Sequence, residues 1–169
     1  MELTRQTRKL DRAICAARRV RRSLVRWRRN TDLGGDCAIA SLLVAVAIGD
    51  LGTLRHHDLP KGWSPHVWNE IDGVIIDVTA TQFNDLDEYQ PYVRGILVTT
   101  EPRIFHAQVT GAGSATMAYL EQRGWSWYDD AEDEYRRFRR AIMAARSLQS
   151  RAALLGRPTI DACAQRSSS

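Results

Sequence analysis

Leu3, Leu10, Ile14, Ala17, Leu24 and Trp27 recur at steps of three, four and seven residues, and Ala13 and Val20 widen the stripe. That period predicts an amphipathic helix over 3–29. The segment Asn30-Thr31-Asp32-Leu33-Gly34-Gly35 breaks it. From Cys37 to Ile48 every residue except Ser41 is apolar. The period disappears there, which predicts a helix buried on most sides. Gly49-Asp50-Leu51-Gly52 suits its C-cap and turn.

Thr53 to Pro65, with His56, His57, Pro60 and Gly62, reads as a polar loop. A hairpin follows. His66 opens a first strand supported by Val67, Trp68 and Ile71; Val74, Ile75 and Ile76 form the second, with Asp77 at its end. Asp72-Gly73 between two β-rich runs is a strong turn signal, and Pro65 marks a strand start. Counting back from the turn pairs Ile71 with Val74, Glu70 with Ile75, Asn69 with Ile76 and Trp68 with Asp77. His66 is then the diagonal, same-face neighbour of Asp77, and His66, Trp68 and Glu70 share one face.

An acidic loop runs from Asn84 to Gln90, a third strand from Tyr92 to Thr99, and a fourth from Ile104 to Val109. Ser114 or Thr116 caps a helix through Met117 to Gln122 that Gly124 ends. A last helix spans about Asp129 to Ala153, acidic at its start and arginine-rich later, which complements its dipole. Its stripe of Tyr135, Phe138, Ile142, Ala145 and Leu148 reads as a docking face. The pattern predicts an α+β fold in three segments: a basic helix over 1–29, a core with its C-terminal helix over 30–156, and a flexible tail over 157–169.

Composition changes this picture in one place. The 169 residues are 44% hydrophobic and 26% charged, ordinary for a globular domain. The net charge of +4 is uneven: residues 1–29 carry eleven basic residues against Glu2 and Asp11, or +9, so the rest sums to −5. Three readings of the basic helix stay open: a helix docked on the domain with a solvated arginine face, a binder of nucleic acid or an anionic surface, and an organelle-targeting peptide. The sequence has no apolar run long enough to span a membrane and no secretory signal pattern. Cys15, Cys37 and Cys163 are widely spaced and form no disulfide framework. A reducing compartment is expected, the cytoplasm or the interior of a target cell that receives the protein. His56-His57 is only an adjacent pair, and neither a metal nor a cofactor is called for.

The candidate chemistry centres on Gly34-Gly35-Asp36-Cys37. Glycine permits positive φ and close approach. Asp36 is expected to cap the buried helix through its carboxylate. Cys37 then lies in the first turn, where free N–H groups and the helix dipole favour a thiolate. Cysteine acyl transfer needs an imidazole to move the proton and a third group to orient that imidazole. His66 and Asp77 fill those roles on the hairpin, and Trp68 on the same face would shield them. His57 and His106 are weaker alternative bases. The Cys37 N–H is one oxyanion donor; Asn30, Trp68 and Gln82 are candidates for the second or for substrate binding.

Gly-x-Cys at the start of a buried helix, then His-x-Trp-x-Glu, a short turn and Asp-x-Thr, resembles the core of the transglutaminase-like, papain-related cysteine enzymes. The matching positions are Gly35, Cys37, His66, Trp68, Glu70, Asp77 and Thr79. The resemblance covers about residues 30–83. It implies a papain-like core, with the Cys37 helix packed on a small antiparallel sheet between flanking helices. It also implies a Cys37-His66-Asp77 triad working through a thioester on a protein or peptide amide, by hydrolysis, deamidation or transfer. The family also contains members that have lost catalysis. The competing reading is therefore an inactive scaffold whose basic helix engages nucleic acid or another anionic partner.

Overall fold

The computed structural model describes residues 2–58, 65–85, 93–128 and 132–155. The expected tail 157–169 with Cys163, the loop residues Pro60 and Gly62, most of the acidic stretch 84–90, and the starts of the third strand at Tyr92 and of the last helix at Asp129 lie outside them. The fold is α+β. Its helices are α1 (Glu2–Arg28), α2 (Cys37–Ile48), α3 (Ser114–Trp127) and α4 (Glu132–Leu154). Its strands are β1 (Leu54–His57), β2 (His66–Ile71), β3 (Val74–Asp77), β4 (Leu97–Thr99) and β5 (Gly111–Ala112). They form one antiparallel sheet in the order β4-β3-β2-β1-β5.

α2 is the hub. It packs against α1, α4 and β2, and all its residues but Leu43, Val46 and Ala47 are buried. An all-apolar helix needs such cover on every side. Its single polar residue is used to tie it to the sheet: Ser41 Oγ donates to Val67 O at 2.9 Å, and Asn69 Nδ2 donates to Ser41 O at 3.2 Å. Gly49, at φ 76°, ends the helix in the left-handed region. The hairpin turns through Asp72 and Gly73 at φ 50° and 79°, the pair of positive φ values that a two-residue turn matched to strand twist requires. Its register is the one counted from the sequence, with Asn69 opposite Ile76, Glu70 opposite Ile75 and Ile71 opposite Val74.

Three sequence expectations are corrected. The stretch read as a loop after Thr53 contains β1, an interior strand between β2 and β5. Its histidines disguise it. His56 is buried by stacking on Tyr119, 4.1 Å between ring centres, and its Nδ1 meets Thr116 Oγ1 at 3.0 Å. An imidazole with its polar atom matched behaves as a core ring. The fourth strand expected over 104–109 is instead one 3-10 turn, Ile104–His106. The turn sends the consecutive residues Phe105 and His106 inward, which strand alternation forbids. Finally, α3 runs through Gly124 instead of stopping there. A Cβ at Gly124 would come within 2.3 Å of the Phe138 ring, so this glycine allows α3 and α4 to approach closely.

α1 is docked. Ala13, Ala16, Ala17 and Leu24 are buried, while Leu10, Ile14, Val20 and Trp27 are half-buried against the same core. The seam is thus centred on small residues, which bring α1 close to α2. Not all the arginines form a solvated face, as the docked reading supposed. Arg21 donates to Val78 O at 2.7 Å and Thr31 O at 2.7 Å, and Arg28 reaches Asp36. Deleting residues 1–29 should therefore uncover the apolar flank of α2 and strip Asp36 of its cation. The truncated protein is expected to be insoluble or to melt far below the full chain. A soluble truncation with an unchanged Tm in a thermal scan would show that α1 is an appendage.

Candidate active site

The turn before α2 is closed by the Asp36 N–H donating to Leu33 O at 3.2 Å. Gly35 occupies its third position at φ 81°, a place that only a residue tolerant of positive φ fills without strain. Asp36 stands at the N-cap, and its carbonyl accepts from the Ala40 N–H at 2.9 Å. Its carboxylate, however, makes no capping hydrogen bond. It is fully buried and held in a two-pronged pair by Arg28, with Nε–Oδ2 and Nη2–Oδ1 both 2.8 Å. Charged, bidentate geometry outcompetes backbone N–H groups for a carboxylate. The hydrogen bonds to Asp36 raise the Arg28 pKa against the opposing effect of burial, and Glu134 on α4 adds to the rise. The expected cap is thus an ion pair that staples α1 to the α2 start.

Tyr128, just past α3, holds the same turn from the other side. Its hydroxyl donates to Gly35 O at 2.8 Å. Burial, and then the charges of Cys37 and Asp36, push its pKa up, so it remains a phenol. Cys37 is buried, and its Sγ–H donates to Pro65 O at 3.8 Å. The thiol also acts on Tyr119, whose pKa is raised to about 12, first by burial and then by Asp58.

His66 and Asp77 meet as the hairpin register requires. His66 Nε2 donates to Asp77 Oδ2 at 2.7 Å, and both side chains are buried. A second imidazole joins them, since His106 Nε2 donates to the same oxygen at 3.0 Å. The other oxygen, Oδ1, accepts from Thr79 N at 2.8 Å and from Thr79 Oγ1 at 3.2 Å. Four donors converge on one carboxylate. Burial alone would raise its pKa, but the His66 charge and the hydrogen bonds from His106 and His66 hold it well below the carboxylate range. Burial alone would lower the His66 pKa, but the Asp77 charge and hydrogen bond, with a contribution from Cys37, raise it to about 10. His106 moves the other way. Burial lowers its pKa more than Asp77 raises it, and the His66 charge adds to the lowering. The cluster is therefore an imidazolium, a carboxylate and a neutral imidazole.

The thiol of Cys37 and the ring of His66 are neighbours without a well-formed hydrogen bond. The thiol adds to the rise in the His66 pKa, while His66 Nδ1 has no partner at bonding geometry. Catalytic hydrogen bonds are often loose before substrate binds. Trp68 is fully buried, stacked on His66 at 5.8 Å and edge-on to His106 at 5.0 Å, and its Nε1 has no partner among the described residues. Phe83 and Phe105 close the other sides of His66 at 4.7 and 5.7 Å. Of the remaining donor candidates, Gln82 lies nearest the turn: its Oε1 accepts from Gly35 N at 3.4 Å, and its Nε2 donates to Thr79 Oγ1 at 3.1 Å. Asn30 is exposed and accepts from Asp32 N within its own loop.

Tyr119 and Tyr128 carry no signal in the sequence, and His106, expected only as a weaker alternative base, enters instead as a hydrogen-bond partner of Asp77. His106 sits twenty-nine residues beyond Asp77 in a stretch patterned like a strand, and the tyrosines come from α3 and its end. His66, Asp77 and His106 also form a donor group within 4.8 Å that could face a metal ion, a juxtaposition that sequence spacing does not reveal. In the structure their nitrogens point at a single carboxylate oxygen at hydrogen-bond distance, the arrangement of a proton network.

A family model described as YunG protein matches residues 6–146. The chain belongs to the YunG protein family. No curated protein and no solved structure matches it. The matched span covers α1 to most of α4, so the docked basic helix belongs to the family's domain along with the Cys37, His66, Asp77 and His106 cluster.

Proposed function

We propose that this YunG-family protein is a cysteine-dependent amide hydrolase or acyl transferase with a papain-like, transglutaminase-like core. The observation that carries the reading is the buried His66 Nε2–Asp77 Oδ2 bond at 2.7 Å beside the Cys37 thiol at the start of α2. In this reading Cys37 and His66 react as a thiolate–imidazolium pair: the proton rests on His66 Nδ1, and Asp77 stabilises the imidazolium. The thiolate attacks the amide carbonyl carbon. The oxyanion is met by first-turn N–H groups of α2, which the Asp36 carboxylate leaves unoccupied. His66 returns the proton to the leaving amine, the C–N bond breaks, and a thioester remains. Water or an amine then attacks that thioester and restores the thiol. His106 touches neither thiol nor carbonyl in this scheme; it is a positioning residue that keeps Asp77 charged and fixed.

Burial gives a sharp test. Cys37 is 6% exposed, whereas Cys15 is exposed on α1. Accessibility alone would make Cys15 the faster thiol toward iodoacetamide; an activated Cys37 reverses that order at neutral pH. Peptide mapping after brief alkylation reads the result. Labelling of Cys15 ahead of Cys37 would remove the enzymatic reading and leave the inactive scaffold.

A further inference from the structure

An open groove of about 1220 Å³ runs between α1 and the loops at residues 81–85 and 93–96. Arg18, Arg22 and Arg26 line one wall, four residues apart on successive turns of α1, and Arg94 lies across from them. All four are exposed, and none has an ion-pair partner among the described residues. Like charges stacked four apart oppose the helix they sit on. Arg21, between them, is tied to Val78 O, Thr81 Oγ1 and Thr31 O, which fixes the helix face toward the groove. At its inner end the groove reaches Gln82, which contacts the Gly35 N–H two residues before Cys37.

We propose that this groove binds an acidic polypeptide segment and leads it to Cys37. Only the direction of the chain toward Cys37 rests on the catalytic reading above; binding stands apart from it. Arg18 to Arg26 covers about 12 Å of helix axis, the length of about four extended residues. The floor is aliphatic, with Val25, Val93 and Ile96, and no aromatic ring lines the groove among the described residues. Single-stranded nucleic acid relies on aromatic platforms for its bases, and this groove offers none. Asp32 and Asp85 also face it. Their carboxylates can accept hydrogen bonds from peptide N–H groups, donors that a sugar-phosphate backbone lacks. Alternating acidic and aliphatic side chains on a peptide match both the arginine wall and the floor.

The test uses the full-length Cys37→Ala protein, so that nothing turns over, and a fluorescein-labelled peptide of about twelve residues built of Glu-Glu-Leu repeats. Anisotropy should report binding that weakens as salt rises. Arg18→Glu with Arg22→Glu should weaken it by about tenfold or more, while Arg139→Glu with Arg140→Glu, an exposed basic pair on α4, should change it less than about twofold. Arg26→Glu with Arg94→Glu repeats the measurement if the first pair lowers the melting temperature. No binding, equal losses in the groove and α4 variants, or a thymidine oligonucleotide of equal charge that binds more tightly with the same arginine dependence would each overturn the proposal. Alkylation of Cys37 in Arg18→Glu with Arg22→Glu separates the two readings. Lost peptide binding with fast labelling confirms the groove as a binding site distinct from the thiol chemistry. Intact binding with a slow Cys37 in the wild type overturns the catalytic reading alone.

Discussion

Replacing Cys37 with alanine is expected to abolish acyl transfer while leaving the fold in place. The lost atom is a single sulfur at the end of a helix whose other contacts, Ser41 to β2 and the apolar flanks to α1 and α4, do not involve it. The stability change should be about 1 kcal/mol, the scale of one small buried group, which for a chain of this size lowers Tm by roughly 2–4 °C. Activity should fall by a factor on the order of 10⁴ or more, because no neighbouring group can form the thioester in its place. Release of p-nitrophenol from p-nitrophenyl acetate gives a readout that needs no knowledge of the natural substrate. The wild type should show a burst approaching one equivalent as the thiol is acylated, and the variant none. A burst that survives in Cys37→Ala would place the nucleophile elsewhere.

Among single substitutions, loss of the Asp77 carboxylate should have the largest effect on stability. Asp77→Ala leaves the Nε2–H groups of His66 and His106 and the Thr79 N–H and Oγ1–H buried without an acceptor. Removing one member of a buried charged network costs about 3–5 kcal/mol, a drop in Tm of roughly 10 °C. Asp77→Asn is not conservative here. One carboxylate oxygen faces two imidazole donors and the other faces Thr79, so the amide nitrogen meets a donor in either orientation. In that variant the His66 pKa should fall from about 10 toward its ordinary value, because the opposite charge that favours the imidazolium is gone. Proton NMR of the imidazole resonances measures it, and an unchanged titration would show that Asp77 does not set the charge of His66.

The same pair fixes a pH window for stability. The raised His66 pKa contributes stability that is complete below its unfolded value near pH 6.5 and is lost as pH rises through about 10. The lowered Asp77 pKa contributes stability that is present above its unfolded value near pH 4 and is lost as pH falls through its folded value. Wild-type Tm should therefore be highest between about pH 4 and 6.5 from this pair. The alkaline decline should flatten in Asp77→Ala.

The sequence by itself determined the elements whose signal is local. The all-apolar run marked α2 as buried, Asp72-Gly73 set the hairpin register, and that register placed His66 within reach of Asp77. Turn chemistry and side-chain period act over a few residues and need no partner to be read. What only the tertiary structure decided depends on partners distant in the chain. Asp36 exchanged helix capping for Arg28 because α1 folds back over the α2 start. β1 is a strand because Tyr119 and Thr116 bury its His56. Gly124 continues a helix because Phe138 fills the space beside it. His106 joins Asp77 because one 3-10 turn points it inward. In each case a long-range contact outweighs a local preference worth at most about 2 kcal/mol. The groove beside α1 has the same origin: its arginines are plain in the sequence, but only docking α1 against the loops near Gln82 and Arg94 turns a charged helix face into a walled channel.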